Sequence, residues 1–276
     1  MMSVKATVIV LTYNQAATIA RTLESVLSQR TPFSFEVLIG EDASTDETRR
    51  ICADYEARYP SVIRLMPAAP NKGIVSNYFD CLEASRGEYI TDCAGDDYWA
   101  NDTVLATLVG TLLSHPEASI AYGELATSSN SGIGDTAIVP SRKLMVELLN
   151  SISLPPIILS AAAYRRSDAL SAISSDPAMV KNVDFGCEDL PLILALLKRG
   201  DAVRIAAPML CYDPHPTTPP ARITGHKLRW FEREKAMRLL LARHYHIKRA
   251  EILRFRLYEE LRLVKYRLLK MLGHAR

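Results

Sequence analysis

The run "KATVIVLTYNQAATIARTLESVLSQ", residues 5–29, changes its period halfway along. Its first half is a β-branched apolar block that stops on Thr12, Tyr13 and Asn14. Its second half sets Ile19, Leu23, Val26 and Leu27 at helical spacing. The same alternation continues downstream. "FEVLIGEDAS" reads as a second buried strand, and "STDETRRICADYEARY" opens with the Ser-x-x-Glu pattern of a helix start. "VIRLMPA", "IVSNYFDCLEAS" and "EYITDCA" follow as strand, helix and strand. Strands and helices alternating at this spacing predict an α/β fold with a mostly parallel sheet flanked by helices.

In such sheets ligands gather at the carboxyl ends of the strands. Polar clusters lie there: Thr12, Tyr13 and Asn14 after the first strand, Glu41 and Asp42 after the second, Asp96 and Asp97 after the fourth. The last pair sits in "EYITDCAGDDYWANDT", residues 88–103. Unpaired charges are costly to bury, so adjacent acids at the end of a core strand require a partner. A purely local alternative is that they form a turn or cap a helix starting near Asn101.

At 276 residues the chain has room for one large domain or two small ones. A hydrophobic content of 48% with 23% charged residues excludes disordered and fibrous classes. No uncharged apolar stretch approaches the ~18 residues of a spanning helix, and the N-terminal residues lack a secretory signal pattern. The expected location is therefore the cytoplasm. The five cysteines are scattered without a CxxC pair, which argues against a disulfide framework or a structural zinc site.

The net charge of +2 conceals an asymmetry: residues 226–276 carry 15 Lys and Arg against 5 Asp and Glu, leaving 18 against 26 in residues 1–225. A Gly/Ser-rich segment, "TSSNSGIGDTAIVPS", separates an N-terminal half (1–126) from a second half (127–220), and residues 221–276 read as basic C-terminal helices. There Leu253, Leu257, Leu261, Val264, Leu268 and Met271 form an apolar stripe, with Arg254, Arg262, Lys265, Arg267 and Lys270 on other faces. Such a helix suits the surface of an anionic membrane, here the cytoplasmic face of the inner membrane. The alternatives are packing on the acidic body or on a second copy as a homodimer. Nucleic acid is a poor fit, because the tail offers few aromatics.

"VIVLTYNQAATIARTLESVLSQ", "FEVLIGEDASTDET", "NKGIVSNYFDCLEASRGEYI", "CAGDDYW" and "FGCEDLPLILALLKRG" follow one another as in family 2 glycosyltransferases of the GT-A fold, which the chain resembles over residues 4–216. The resemblance implies an inverting, metal-dependent transfer of a sugar from a nucleoside diphosphate, with a UDP-sugar as first expectation. It implies a glycan or glycolipid acceptor in bacterial surface polysaccharide or lipopolysaccharide synthesis. Asp96, with Asp97 beside it, resembles the family's DxD acids, which hold Mg2+ or Mn2+ against the diphosphate; a hard cation takes oxygen ligands. Ala94 stands where many relatives carry the first acid of that motif. Asp42 matches the acid that receives the base or ribose, a role for a group that only accepts hydrogen bonds. Thr12, Tyr13 and Asn14 match the loop around the base, and Asn71 and Lys72 lie where relatives contact the nucleotide. "CEDLPL" resembles the family's Glu-Asp motif, making Asp189 the expected general base and Glu188 its fallback. Both also stand at a helix start, where acids are favoured by the dipole. "CYDPHPTT" resembles a Tyr-Arg-x-His stretch, with His215 able to reach the metal or diphosphate and Asp213 replacing the Arg.

Other classes fare worse. A nucleotidylyltransferase or a nicotinamide enzyme needs a glycine-rich loop after the first strand, and "LTYNQAAT" has none. A non-catalytic nucleotide-sugar-binding or scaffold protein is the rival, kept open by Ala94 and Asp213.

Overall fold

The computed structural model describes residues 4–126, 135–152, 155–211 and 225–271. Its sheet is built around β1 (Ala6–Thr12), whose Val8, Ile9 and Val10 are fully buried. Strand β1 pairs in parallel with β2 (Phe35–Glu41) on one side and with β4 (Tyr89–Asp92) on the other, and β3 (Ile63–Leu65) extends the parallel set beyond β2. The connecting helices are α1 (Ile19–Leu27), α2 (Thr48–Arg58) and α3 (Gly73–Ala84). The alternation read from the first hundred residues is therefore realised strand by strand.

Past β4 the sheet becomes mixed. It continues through β8 (Ala162–Arg165), β6 (Ile120–Leu125), β9 (Ala202–Cys211) and β5 (Tyr98–Trp99), with β7 (Thr136–Val139) pairing on β9. Strand β8 runs antiparallel to both β4 and β6, β5 and β7 run antiparallel to β9, and β6 and β9 are parallel. Helices α4 (Val104–Ser114), α6 (Arg166–Ser175), α7 (Pro177–Val180) and α8 (Asp189–Leu197) accompany this half, while α5 (Ser141–Asn150), α9 (Gly225–His244) and α10 (Leu253–Met271) are helices of the remaining segments.

The chain forms two compact units, Met1–Ser141 with Ile157–Asp213, and Arg142–Pro156 with Pro214–Arg276. In the first, one core cluster joins β1 and β2 to α1, α4 and β9 through Val8, Val10, Leu23, Val37, Leu108 and Val203. Cys52, Cys81 and Cys93 are buried there as small apolar residues, and all five cysteines are free. Close approach at the start of β4 demands glycine: a Cβ on Gly87 would stand 2.3 Å from the Thr7 backbone nitrogen.

In the second unit, Arg142 pairs with Glu251 at 2.8 Å, and Arg238 donates to the Leu148 carbonyl at 2.7 Å. The α9–α10 hairpin is held by Arg262, which reaches Glu234 at 3.0 Å and the buried Glu259 at 2.6 Å and lies over the Phe231 ring. The buried face of α10 carries Phe255 and Leu263, with Ile252 buried just before the helix. The apolar stripe seen in the sequence is a different face: Leu253, Leu257, Leu261, Val264 and Leu268 are exposed, Leu261 by 72%. Among the described residues no helix is long and apolar enough to cross a membrane.

Candidate active site

The carboxyl ends of β1, β2 and β4 open into a cavity of about 570 Å³. It is lined by Thr12, Tyr13, Asp42, Asn71, Asp96, Asp97, Glu188 and Asp189, eight of the residues singled out from the sequence.

The loops after β1 and β2 are stapled to each other. Asn14 adopts a left-handed backbone (φ 52°), its N–H donates to Ser44 Oγ at 2.9 Å, and its Oδ1 accepts the Thr45 N–H at 2.8 Å. Asn14 is tolerated there because Asn visits this region more readily than other non-glycine residues. Its side chain is thus occupied with the second loop, and Asn14 does not line the cavity. Tyr13, beside it, is 48% exposed at the rim. Thr12 Oγ1 is buried without a hydrogen-bond partner.

Of the acids ending β2, Glu41 is structural. It accepts the Ser44 N–H at 2.5 Å and pairs with Arg49 at 2.9 Å. Burial alone would raise its pKa, but the Ser44 bonds and Arg49 together hold it below the ordinary value. Asp42 accepts the N–H groups of Lys72 and Gly73, each at 2.9 Å, and its carbonyl accepts Asn71 Nδ2 at 2.8 Å. The segment leading into α3 therefore hangs on Asp42, which brings Asn71 into the cavity wall. Lys72 goes elsewhere: its Nζ pairs with Asp80 on α3.

The turn carrying Asp96 and Asp97 is pinned through its backbone. The Gly95 N–H donates to the Leu11 carbonyl at 2.9 Å, Thr18 Oγ1 to the Gly95 carbonyl at 2.8 Å, and Thr22 Oγ1 to the Asp97 carbonyl at 2.6 Å. A Cβ on Gly95 would come within 2.5 Å of Gln15 Oε1 and 2.8 Å of Thr12 Oγ1, so only glycine lets this turn lie against the first-strand loop. Arg21 braces it from α1, donating to the Asp96 carbonyl at 3.2 Å.

Glu188 and Asp189 arrive from the start of α8. Burial, followed by the Asp189 charge, pushes Glu188 well above the usual carboxylate range, and burial also raises Asp189. The hydrogen bond between the two raises Glu188 and lowers Asp189. Between the two, a proton is therefore favoured on Glu188 over Asp189. Asp189, the more acidic of the two, is the better placed to accept a proton.

One acid escaped the sequence reading. Asp92 closes β4 inside an apolar run, is buried, and lines the same cavity, with Tyr78 donating to its Oδ2 at 3.2 Å. An acid within a strand otherwise made for the core was the available signal.

Six carboxyls line the cavity, those of Asp42, Asp92, Asp96, Asp97, Glu188 and Asp189, and no Lys, Arg or His is among the described lining residues. An anionic diphosphate cannot settle against such a wall without a cation. The donors are all oxygen, which fits Mg2+ or Mn2+. Among the described residues no three His, Cys, Asp or Glu side chains converge on a common point, so a metal here would complete its shell with phosphate and water. His215 and Asp213 lie outside the described residues.

Residues 7–169 match the family profile described as Glycosyl transferase family 2. An uncharacterized protein of Mycobacterium tuberculosis is 35% identical over 181 residues, which is 64% of this chain and 51% of that protein. The chain thus spans about half the length of the curated relatives it matches. Two solved structures share the fold. TarS of S. aureus, residues 1–349 in complex with UDP-GlcNAc, has a TM-score of 0.61 at 18% identity and covers 84% of this chain and 65% of its own. The mannosyltransferase PcManGT of Pyrobaculum calidifontis, in complex with GDP-Man and Mn2+, has a TM-score of 0.64 at 18% identity over 96% and 73%.

Proposed function

The chain belongs to glycosyl transferase family 2 and has its GT-A fold, and we propose that it is an inverting, metal-dependent enzyme transferring a sugar from a nucleoside-diphosphate sugar to a hydroxyl acceptor. A single observation carries this reading: Asp42, Asp96, Asp97 and Asp189 line one cavity.

In this reading Tyr13 and Asn71 flank the base, and Asp42 accepts hydrogen bonds from base or ribose. Its two backbone donors fix the carboxylate for that task. Asp96 and Asp97 would hold Mg2+ or Mn2+. When bound, that ion supplies positive charge to the diphosphate oxygens and to the leaving nucleotide. Asp189 takes the proton of the attacking acceptor hydroxyl, and Glu188 orients it. A lone positioned carboxylate suffices for inversion, because no covalent sugar–enzyme intermediate is needed. Incubation of the full chain with UDP-, GDP-, dTDP- and CMP-sugars and Mn2+ tests this. The expected result is metal-dependent release of nucleoside diphosphate from one of the UDP-, GDP- or dTDP-sugars and no CMP from the CMP-sugar, with inverted anomeric configuration in the product. Nucleotide binding without release on any donor would favour the scaffold alternative.

A glycolipid or glycan acceptor of a surface polysaccharide, met at a membrane surface, is the fuller form of this reading. The exposed stripe of α10 supports it, with Arg254 and Lys265 exposed beside Leu261 and Leu268. Leucines flanked by cations suit the interface of an anionic bilayer. The chain is expected to float with vesicles containing phosphatidylserine and to stay behind with phosphatidylcholine alone. The double variant Leu257→Glu with Leu261→Glu should abolish flotation. If the variant instead turns a dimer into a monomer in sedimentation, the stripe is a contact between copies.

A further inference from the structure

We infer that Asp92 forms the floor of the subsite for the transferred sugar, accepting its hydroxyls, and that this subsite takes a neutral sugar and turns away a uronate. The inference rests on the glycosyltransferase reading and specifies its donor.

The geometry starts from strand register. Asp92 lies opposite Ile9 in the β1–β4 pairing, whereas the turn with Asp96 begins beyond Leu11. Side chains two residues apart in an extended chain share a face, so Asp92 lies below Ala94 on the same side, deeper by two residues or about 7 Å. Both line the cavity, as do Ile9 and Leu11. The Ala94 methyl leaves open the depth that a longer side chain would fill, and the buried Asp92 lies at the bottom.

What waits there is an incomplete hydrogen-bond set. Asp92 is only 7% exposed, and its Oδ1 has no partner. Its other oxygen receives the Tyr78 hydroxyl, which in turn meets the hydroxyl of Tyr164 from β8. Glu188 Oε2, equally buried, also lacks a partner and belongs to the same cavity. Buried polar atoms are nearly always satisfied in native proteins, so two acceptors without partners on residues that line one cavity call for ligand donors. Sugar hydroxyls are donors of that kind, and a carboxyl oxygen accepts them whether or not its partner oxygen holds a proton. Burial and the Asp189 charge already push Asp92 well above the ordinary carboxylate range. A sugar carboxylate would place its charge where burial and neighbouring acids already disfavour one, and no described cationic lining residue is there to balance it.

The test is calorimetric titration of the full chain with Mn2+, using UDP, UDP-N-acetylglucosamine and UDP-glucuronate, with GDP and GDP-mannose as the guanosine pair. Wild type should bind the neutral nucleotide-sugar of one pair more tightly than its bare nucleotide, and should bind UDP-glucuronate more weakly than UDP if uridine is the base. Asp92→Leu fills the site without an acceptor. It should keep nucleotide affinity within about twofold and lose about tenfold in its preference for nucleotide-sugar over nucleotide. Asp92→Asn retains a group for Tyr78 and guards against failure to fold; it should show the same selective loss in smaller measure. Equal losses for nucleotide and nucleotide-sugar, unchanged preference in both variants, or an Asn variant that cannot fold would each overturn the inference. Wild type that binds none of these probes, nor dTDP and dTDP-glucose added as a third pair, would remove the nucleotide-sugar reading itself, and the inference with it.

Discussion

Asp189→Asn is expected to lower kcat by about 10²- to 10⁴-fold, the range that a positioned general base contributes, while the affinity for nucleotide with Mn2+ should stay within about twofold. The separation of the two effects follows from position. Asp189 enters the cavity from α8, whereas Asp42 and Asn71 stand at the end of β2 and the entry to α3. The pH profile supplies a second readout. Burial raises the Asp189 pKa above its ordinary value of 3.8. A base must be deprotonated to act, so kcat/KM should rise with pH through this elevated value and fall away below it. The acid limb therefore lies at higher pH than an exposed aspartate would give, and it disappears in Asp189→Asn. The same shifts act on the fold with the corresponding sign. Acids whose folded pKa is raised hold protons better in the native state, so their favourable contribution is present at low pH and is lost as pH rises through the folded value.

Asp96→Ala should cut Mn2+-dependent turnover by at least about a hundredfold, as expected when ligation of a metal that stabilises the leaving group is lost. Nucleotide affinity should fall with it. The turn itself should survive, because it is held by backbone atoms: Gly95 on Leu11, Thr18 on the Gly95 carbonyl and Thr22 on the Asp97 carbonyl. An unchanged melting temperature, with lost metal response, separates this outcome from simple unfolding. A variant that binds and turns over as well as wild type would assign Asp96 to the turn alone.

Much of this site was legible before any coordinates. Strands β1 to β4 are runs of Val, Ile and Leu between helices with clear periodicity, and parallel strands covered on both faces produce that pattern. Their carboxyl ends then collect Thr12, Asp42, Asp96 and Asp97 by topology alone. Direction of side chains was harder. Asn14 and Lys72 lie next to cavity residues in sequence, yet Asn14 ties down the second loop and Lys72 turns to Asp80. Neighbours in a loop need not share a face, and no period predicts which one turns inward. Asp92 was hidden by the opposite effect, since a single acid inside "EYITDCA" looks like an irregular strand until its cavity is seen. The mixed half of the sheet was also obscure, because "SAAAYRR" around β8 suits helix and strand alike. In α10 two apolar faces compete, and the sequence stripe through Leu257 and Leu261 is the face left exposed while Phe255 and Leu263 go inside.

The acid-lined cavity demands a cation before it can accept a diphosphate, and calorimetric titration of the wild-type chain with UDP and GDP, with Mn2+ and then with EDTA, tests that demand most directly. One nucleotide should bind in the presence of Mn2+ and lose nearly all its affinity in EDTA. Equal affinity under both conditions, or binding abolished by Mn2+, would contradict it.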